Sequence, residues 1–239
     1  MTINREAATY RPPTALSLAP LGPAASLRDR AYASLRQAIA ETDIYRSREA
    51  IRLDEKEVAE ALGVSRTPVR EAMTLLEQQG FLRTVPRRGV YILRKSKREI
   101  VDMIHMWAAL ESMAARLATL SASAEDFAAL RRLFDAFCEA APSAHVDAYS
   151  EANLAFHQSL VELSGSHLLI EAVRNIFVHV RAIRRTTIAR GDRASRSIAE
   201  HMSIIEALEA RDTELAERLV RQHSLDLAAF VEAHCDFLD

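Results

Sequence analysis

The chain has 239 residues, of which 49% are hydrophobic and 27% charged, and a formal net charge of −2. That is enough for one large domain or two ordinary ones, each with its own core. Cys138 and Cys235 are the only cysteines, which excludes a disulfide framework or a cysteine-built zinc site and fits a reducing, cytoplasmic setting. No signal-peptide core and no run of membrane-spanning length is present, so neither export nor membrane insertion is expected.

The small net charge hides an asymmetry. Residues 65–100 carry nine Arg or Lys against three Glu, a local excess of six positive charges, so the rest of the chain carries eight negative ones. Four of the seven prolines fall before position 24, and residues 1–25 read as a tail without sustained periodicity. From Leu27 to Ala40 the apolar positions Ala31, Leu35 and Ile39 recur at helical spacing and predict a first helix. Residues 41–52 break the pattern. Asp54, with Glu57 three places on, caps a second helix over Glu55–Leu62 with Val58, Ala59 and Leu62 inward.

Gly63 suits the left-handed position after a helix end. Ser65 or Thr67 then caps a third helix, whose first turn tolerates Pro68 because the missing N–H has no intrahelical partner there. That helix runs to about Gln79 and buries Val69, Ala72, Met73 and Leu76, leaving Arg66, Thr67 and Arg70 exposed near its start. Phe81–Thr84 and Val90–Leu93 read as short strands around a basic tip, Pro86-Arg87-Arg88-Gly89. The whole, residues 26–93, reads as a winged helix-turn-helix, in which the third helix, the second of the pair, is expected to enter the major groove, where arginine reads guanine, and the wing to reach the backbone or minor groove.

These residues, above all Gly63–Ala72 with Leu76-Glu77 and the Pro86–Gly89 wing, resemble the GntR family of bacterial transcriptional regulators. By motif, the resemblance puts DNA contacts on Lys56, Ser65, Arg66, Thr67, Arg70, Arg87, Arg88 and Gly89. The connection from Glu41 to Arg52 departs from the family pattern, lacking its usual glycine and Pro-Gly turn.

Residues 94–99 read as a basic linker, and 100–239 as an all-α bundle of about six antiparallel helices. The first spans about Ile100–Leu120. A second, opened by Ser123, carries Phe127, Leu130, Leu133, Phe134 and Phe137 inward until Pro142, and four more follow to Phe237. His157, His201 and His223 fall on apolar faces of three separate helices. From spacing alone each is either a satisfied core histidine or a ligand to a shared metal. His105, His145, His167, His179 and His234 read as structural or surface residues.

This second half resembles the FCD effector domain of the FadR subgroup, through Ala108–Glu111, Asn153–His157, Ser164-Gly165, Glu200-His201 with Ile204, and Arg221–His223. The resemblance implies a divalent metal of Zn, Ni or Mn type on Asn153, His157, His201 and His223, with Asn153 standing where Asp is commoner. It also implies a small organic acid effector. Trp107 stands where many members carry arginine, so Arg181, Arg184 and Arg185 are the remaining candidates for a carboxylate clamp; otherwise they form a solvated basic face. The expected protein is a homodimeric repressor that binds double-stranded operator DNA under effector control. Two rivals are a metal sensor, in which the ion is the signal, and a metal-dependent hydrolase, which lacks a tight motif such as His-Glu-x-x-His.

Overall fold

A computed structural model of the protein describes residues 26–42, 44–45, 49–138 and 146–238. The expected tail, Pro142 and His145 lie outside the described residues. The winged unit comprises α1 (Leu27–Glu41), β1 (Arg52–Leu53), α2 (Glu55–Leu62), α3 (Arg66–Gln78), β2 (Leu82–Val85) and β3 (Gly89–Ile92). It is followed by α4 (Lys97–Ser121), α5 (Ala124–Arg132), α6 (Asp135–Cys138), α7 (Val146–Leu163), α8 (His167–Ile188), α9 (Arg193–Glu209) and α10 (Thr213–His234), with a closing 3-10 turn over Asp236–Leu238.

Local chemistry sets the helix ends. The Asp54 carboxylate accepts the N–H groups of Lys56 and Glu57 and opens α2, satisfying two donors that have no partner inside the helix. Gly63, at φ +64°, ends it, and the Val64 N–H returns to the Ala59 carbonyl at 3.1 Å. Ser65 occupies the cap position of α3, but its side chain makes no capping bond. The expected cap by a hydroxyl is therefore absent; the bend set by Gly63 is what starts the helix. Val69, Ala72, Met73 and Leu76 are buried as periodicity predicts, each contributing roughly 1.5–3 kcal/mol except the smaller Ala72.

The wing is an antiparallel sheet of order β1-β3-β2. β1 pairs Arg52 with Tyr91 and Leu53 with Val90, an element that two residues of sequence could not announce. Gly89 has φ +115°, a backbone conformation that favours glycine at the wing tip. In the connection that departs from the family pattern, Ile44 and Tyr45 are buried, tying it into the core.

The expected linker is shorter than 94–99. Ser96 caps α4 through a reciprocal bond with Glu99, so residues 97–99 are helix. The expected helix from Ser123 onward is broken at Leu133 and Phe134, where turn residues separate α5 from α6. α10 packs most extensively along α4. One apolar cluster runs from α1 and α3 through α4 into α8 and α10; another joins α5, α7 and α9. The winged unit and the bundle thus share a core rather than meeting through a bare linker.

Candidate functional site

Two constellations of functional side chains stand at opposite ends of the charge scale. The first is exposed. Arg66 and Arg70, one helical turn apart on the open face of α3, both reach Glu55 at the start of α2. Arg66 bonds its carboxylate at 3.2 Å, and Arg70 at 2.9 Å through NH2 and 3.3 Å through Nε. Hydrogen bonds from Arg70, and then Arg66, hold the Glu55 carboxyl below its usual range. Thr67, Lys56 and Ser65 are exposed beside them. At the wing, Arg87 adopts φ +64° and, with Arg88, is exposed, while the Arg88 carbonyl accepts the Tyr91 hydroxyl at 3.1 Å.

The second constellation is buried. His157 from α7, His201 from α9 and His223 from α10 are 1%, 0% and 3% exposed, and their ligand atoms lie within 4.8 Å of one another. His157 Nε2 is 3.4 Å from His201 Nε2 and 3.3 Å from His223 Nε2. Two imidazoles on one tetrahedral metal, at about 2.1 Å each, would stand roughly 3.4 Å apart.

The outer nitrogens fix the rings. His157 Nδ1 bonds Glu111, and His223 Nδ1 bonds Glu200 at 2.6 Å. For His223 the Nδ1 carries the proton toward Glu200 and Nε2 turns a lone pair inward. Arg184 confirms this for His223: a guanidinium only donates, and its NH1 lies 3.2 Å from His223 Nε2. His201 Nδ1 is 3.1 Å from the Tyr149 hydroxyl and 3.4 Å from Ser197 Oγ. Burial, the leading cause for all three, holds the histidines well below their ordinary pKa. They are neutral at neutral pH, the form a metal binds.

Asn153, on the same face of α7 one turn before His157, is 1% exposed, and neither its Oδ1 nor its Nδ2 has a hydrogen-bond partner. An orphaned buried amide costs about 1–3 kcal/mol. A fourth ligand from Asn153 to an ion on the three Nε2 atoms would remove part of that cost, so the donor set fits a divalent metal of borderline softness.

The expected effector residues separate. Arg184 is buried beside the histidines and also donates to Ser224 at 3.3 Å. Burial pulls its guanidinium down to about 10, with Glu111 opposing, so it stays charged at neutral pH. Arg185 turns away and pairs with the exposed Glu151, which Arg181 also approaches at 3.7 Å. These two are not part of the histidine cage: both turn to Glu151 on α7. Trp107 is fully buried; its indole N–H donates to Glu111 at 2.6 Å and its ring stacks on Phe177.

Glu111 is the residue that sequence reasoning passed over. It accepts from Trp107, from Ser224 at 3.0 Å and from His157, and burial pushes its carboxyl up against the pull of Arg184. Its signal was legible: a carboxylate on the apolar stripe of α4, four residues from Trp107. Glu200, next to His201, carried a weaker one.

A winged helix-turn-helix unit built onto an all-helical bundle is the architecture of a two-domain DNA-binding regulator. The comparisons agree. Residues 27–92 match the model of the bacterial regulatory proteins of the gntR family, and residues 102–226 match the FCD domain. The chain belongs to the GntR family of DNA-binding transcriptional regulators, with a C-terminal FCD domain.

Among its relatives, a probable D-xylose utilization operon transcriptional repressor of Paenarthrobacter nicotinovorans is 32% identical over 75% of this chain and 77% of its own. The transcriptional repressor RspR of Escherichia coli K12 is 27% identical over 75% and 78%. Among solved structures, E. coli McbR/YncC superposes with a TM-score of 0.72 at 22% identity, covering 89% of this chain and all of that one; at this identity the likeness speaks to fold alone. The relatives are regulators rather than enzymes, which sets the hydrolase rival aside. Among the described residues, no helix is long and apolar enough to cross a membrane.

Proposed function

We propose that the chain is a homodimeric repressor of the FadR subgroup whose operator affinity is tuned by a small organic acid bound in the bundle beside a divalent metal. The observation that carries the effector half is the cage itself: three neutral imidazoles with converging Nε2 atoms, an orphaned Asn153 amide, and a charged Arg184 at its edge.

In this reading His157, His201, His223 and Asn153 hold the ion, while Glu111, Glu200 and Tyr149 hold the rings. When bound, the metal offers positive charge and open coordination positions to a carboxylate. Arg184 supplies a second, directional contact to that carboxylate. On the DNA side, Arg66 and Arg70 read base edges, Lys56, Ser65 and Thr67 meet phosphates, and Arg87, Arg88 and Gly89 place the wing. Glu55 keeps the two reading arginines extended and side by side.

Support for the dimer lies on α4. Met106, Met113 and Leu120 are exposed large apolar residues, and they repeat every seven positions, as a helix seam facing a second helix does. Two copies joined there would present paired reading helices to half-sites about one helical turn apart.

Fluorescence anisotropy on a palindromic upstream fragment tests the reading, with protein stripped by chelator and then reloaded with Zn, Ni or Mn, with and without citrate. Metal plus citrate should shift affinity where either alone does little. A shift with metal alone favours the sensor reading, to which the near-complete burial of the cage lends support. No shift in any arm sinks both.

A further inference from the structure

A cleft of about 560 Å³ opens between α1 of the winged unit and α7 and α8 of the bundle. Small organic ligands occupy cavities of roughly 300–1,000 Å³. Its floor is apolar: Phe177 and Ile170 face it, backed by the buried Val161, Val173 and Trp107, whose ring stacks on Phe177 with centroids 5.2 Å apart. Its rim is cationic, with Arg36 from α1 and Arg174 and Arg181 from α8 against a single lining carboxylate, Glu162.

The three arginines differ in how they are held. Arg174 pairs with Glu171 at 2.6 Å and Arg181 with Glu151 at 3.7 Å. Arg36 instead reaches a neutral acceptor, the Arg174 carbonyl, at 2.9 Å and leans over the Phe81 ring at 6.0 Å. The Nε atoms of both Arg36 and Arg181 are buried with no hydrogen-bond partner. Burial, the largest influence, and then Arg174 hold the Arg36 guanidinium below its ordinary pKa, as expected of a cation with too little negative charge around it.

We propose that this cleft is a second ligand site, distinct from the histidine cage, for a hydrophobic monoanion whose carboxylate meets Arg36 and Arg181 while its apolar body lies on Phe177 and Ile170, with Trp107 stacked behind Phe177. Its walls come from both units, so an occupant bridges the DNA-reading half to the bundle. Trp107 is the shared partition, backing Phe177 at the cleft floor on one side and donating to Glu111, the His157 partner, on the other. The proposal holds whether or not the cage takes a metal.

Trp107 is the only tryptophan of the chain and serves as an internal reporter. Anilinonaphthalene sulfonate, an aromatic body with one anionic group, should bind the full-length protein at one saturable site per chain, with energy transfer from Trp107. Octanoate and naphthoate should displace it, and octylammonium should not. Arg36→Gln should weaken binding about tenfold, the loss of one charge-assisted contact. Ala33→Phe, on an exposed position of the α1 wall, should abolish it.

The cage variant His201→Ala, whose ring bonds neither Trp107 nor Glu111, should bind the probe within about twofold of wild type, which separates failure of the cage reading from failure of this one. Far-UV circular dichroism checks the fold, and Arg36→Gln decides alone if Ala33→Phe is disordered. Equal binding by Arg36→Gln and wild type, displacement by octylammonium as good as by octanoate, or uptake of many probes without transfer from Trp107 would each overturn the proposal.

Discussion

The reading face and the histidine cage handle charge in opposite ways. On α3, two exposed arginines share one carboxylate, Glu55, within reach of water; such pairs contribute roughly 0–1 kcal/mol to stability and can exchange their partner for a phosphate or a base. In the bundle, Glu111 and Arg184 are buried among neutral histidines, where every donor needs an acceptor and a missing one costs several kcal/mol. In the proposed reading the exposed set is given up on binding DNA, while the buried set keeps its geometry. A regulator needs both.

The largest expected effect tests the buried side of that contrast. Glu111→Ala removes the acceptor for Trp107, His157 and Ser224 at once and leaves Arg184 without its carboxylate neighbour, so unfolding free energy should drop by about 3–5 kcal/mol in urea titration. Glu111→Gln keeps an acceptor and should lose less. If the two variants match wild type, the cage is not held as described.

Next is the exposed side. Arg66→Ala or Arg70→Ala should weaken operator binding by about 1–3 kcal/mol each, roughly 5- to 150-fold, while leaving the unfolding free energy within about 0.5 kcal/mol of wild type. A large stability loss without a change in DNA affinity would reverse the comparison.

A pH effect of intermediate size arises where the winged unit meets the bundle. His179 of α8 stacks on Phe81 at 5.9 Å and lies 3.1 Å from the Tyr45 hydroxyl. Burial, then Lys95, pulls its pKa from 6.5 down to about 4. Below pH 6.5 the unfolded chain binds a proton that the folded one refuses. The stability tied to neutral His179 is therefore present above 6.5 and lost as pH falls toward 4, at up to about 1.4 kcal/mol per pH unit. His179→Phe keeps the stack and should flatten the urea-derived stability curve between pH 6.5 and 4.5 relative to wild type; parallel curves would remove His179 from the account.

The smallest effect is Glu55→Gln. Stability should change by less than about 1 kcal/mol, because the pair is exposed, and non-specific DNA binding should strengthen slightly as a negative charge leaves the face.

Much of this was legible in the sequence where a local rule had a single solution. Gly63, Asp54 and the Val69–Leu76 stripe placed α2 and α3 almost to the residue, whereas spacing left His157, His201 and His223 open between core residues and ligands and only the FCD resemblance implied a shared site. What stayed hidden depended on tertiary pairing. β1 is two residues long and exists only because β3 lies beside it. The break at Leu133 and Phe134 follows from how Phe134 packs on Tyr149, Phe156 and His201, and periodicity alone could not carry it. Arg181, Arg184 and Arg185 looked interchangeable in sequence, yet Arg184 alone meets the buried His223 and Ser224, while Arg181 and Arg185 pair with the exposed Glu151. Glu111 had the plainest local signal, a charge on an apolar stripe, and its partners come from three other places in the chain.

The central claim is that the cage sets the grip of the reading helix. It is tested most directly by operator anisotropy titrations of wild type and of His157→Ala/His201→Ala, each with chelator alone and with metal plus citrate. The account predicts a shift of about 5- to 150-fold in wild-type affinity and none in the double variant. The same shift in both proteins, or no shift in either, would contradict it.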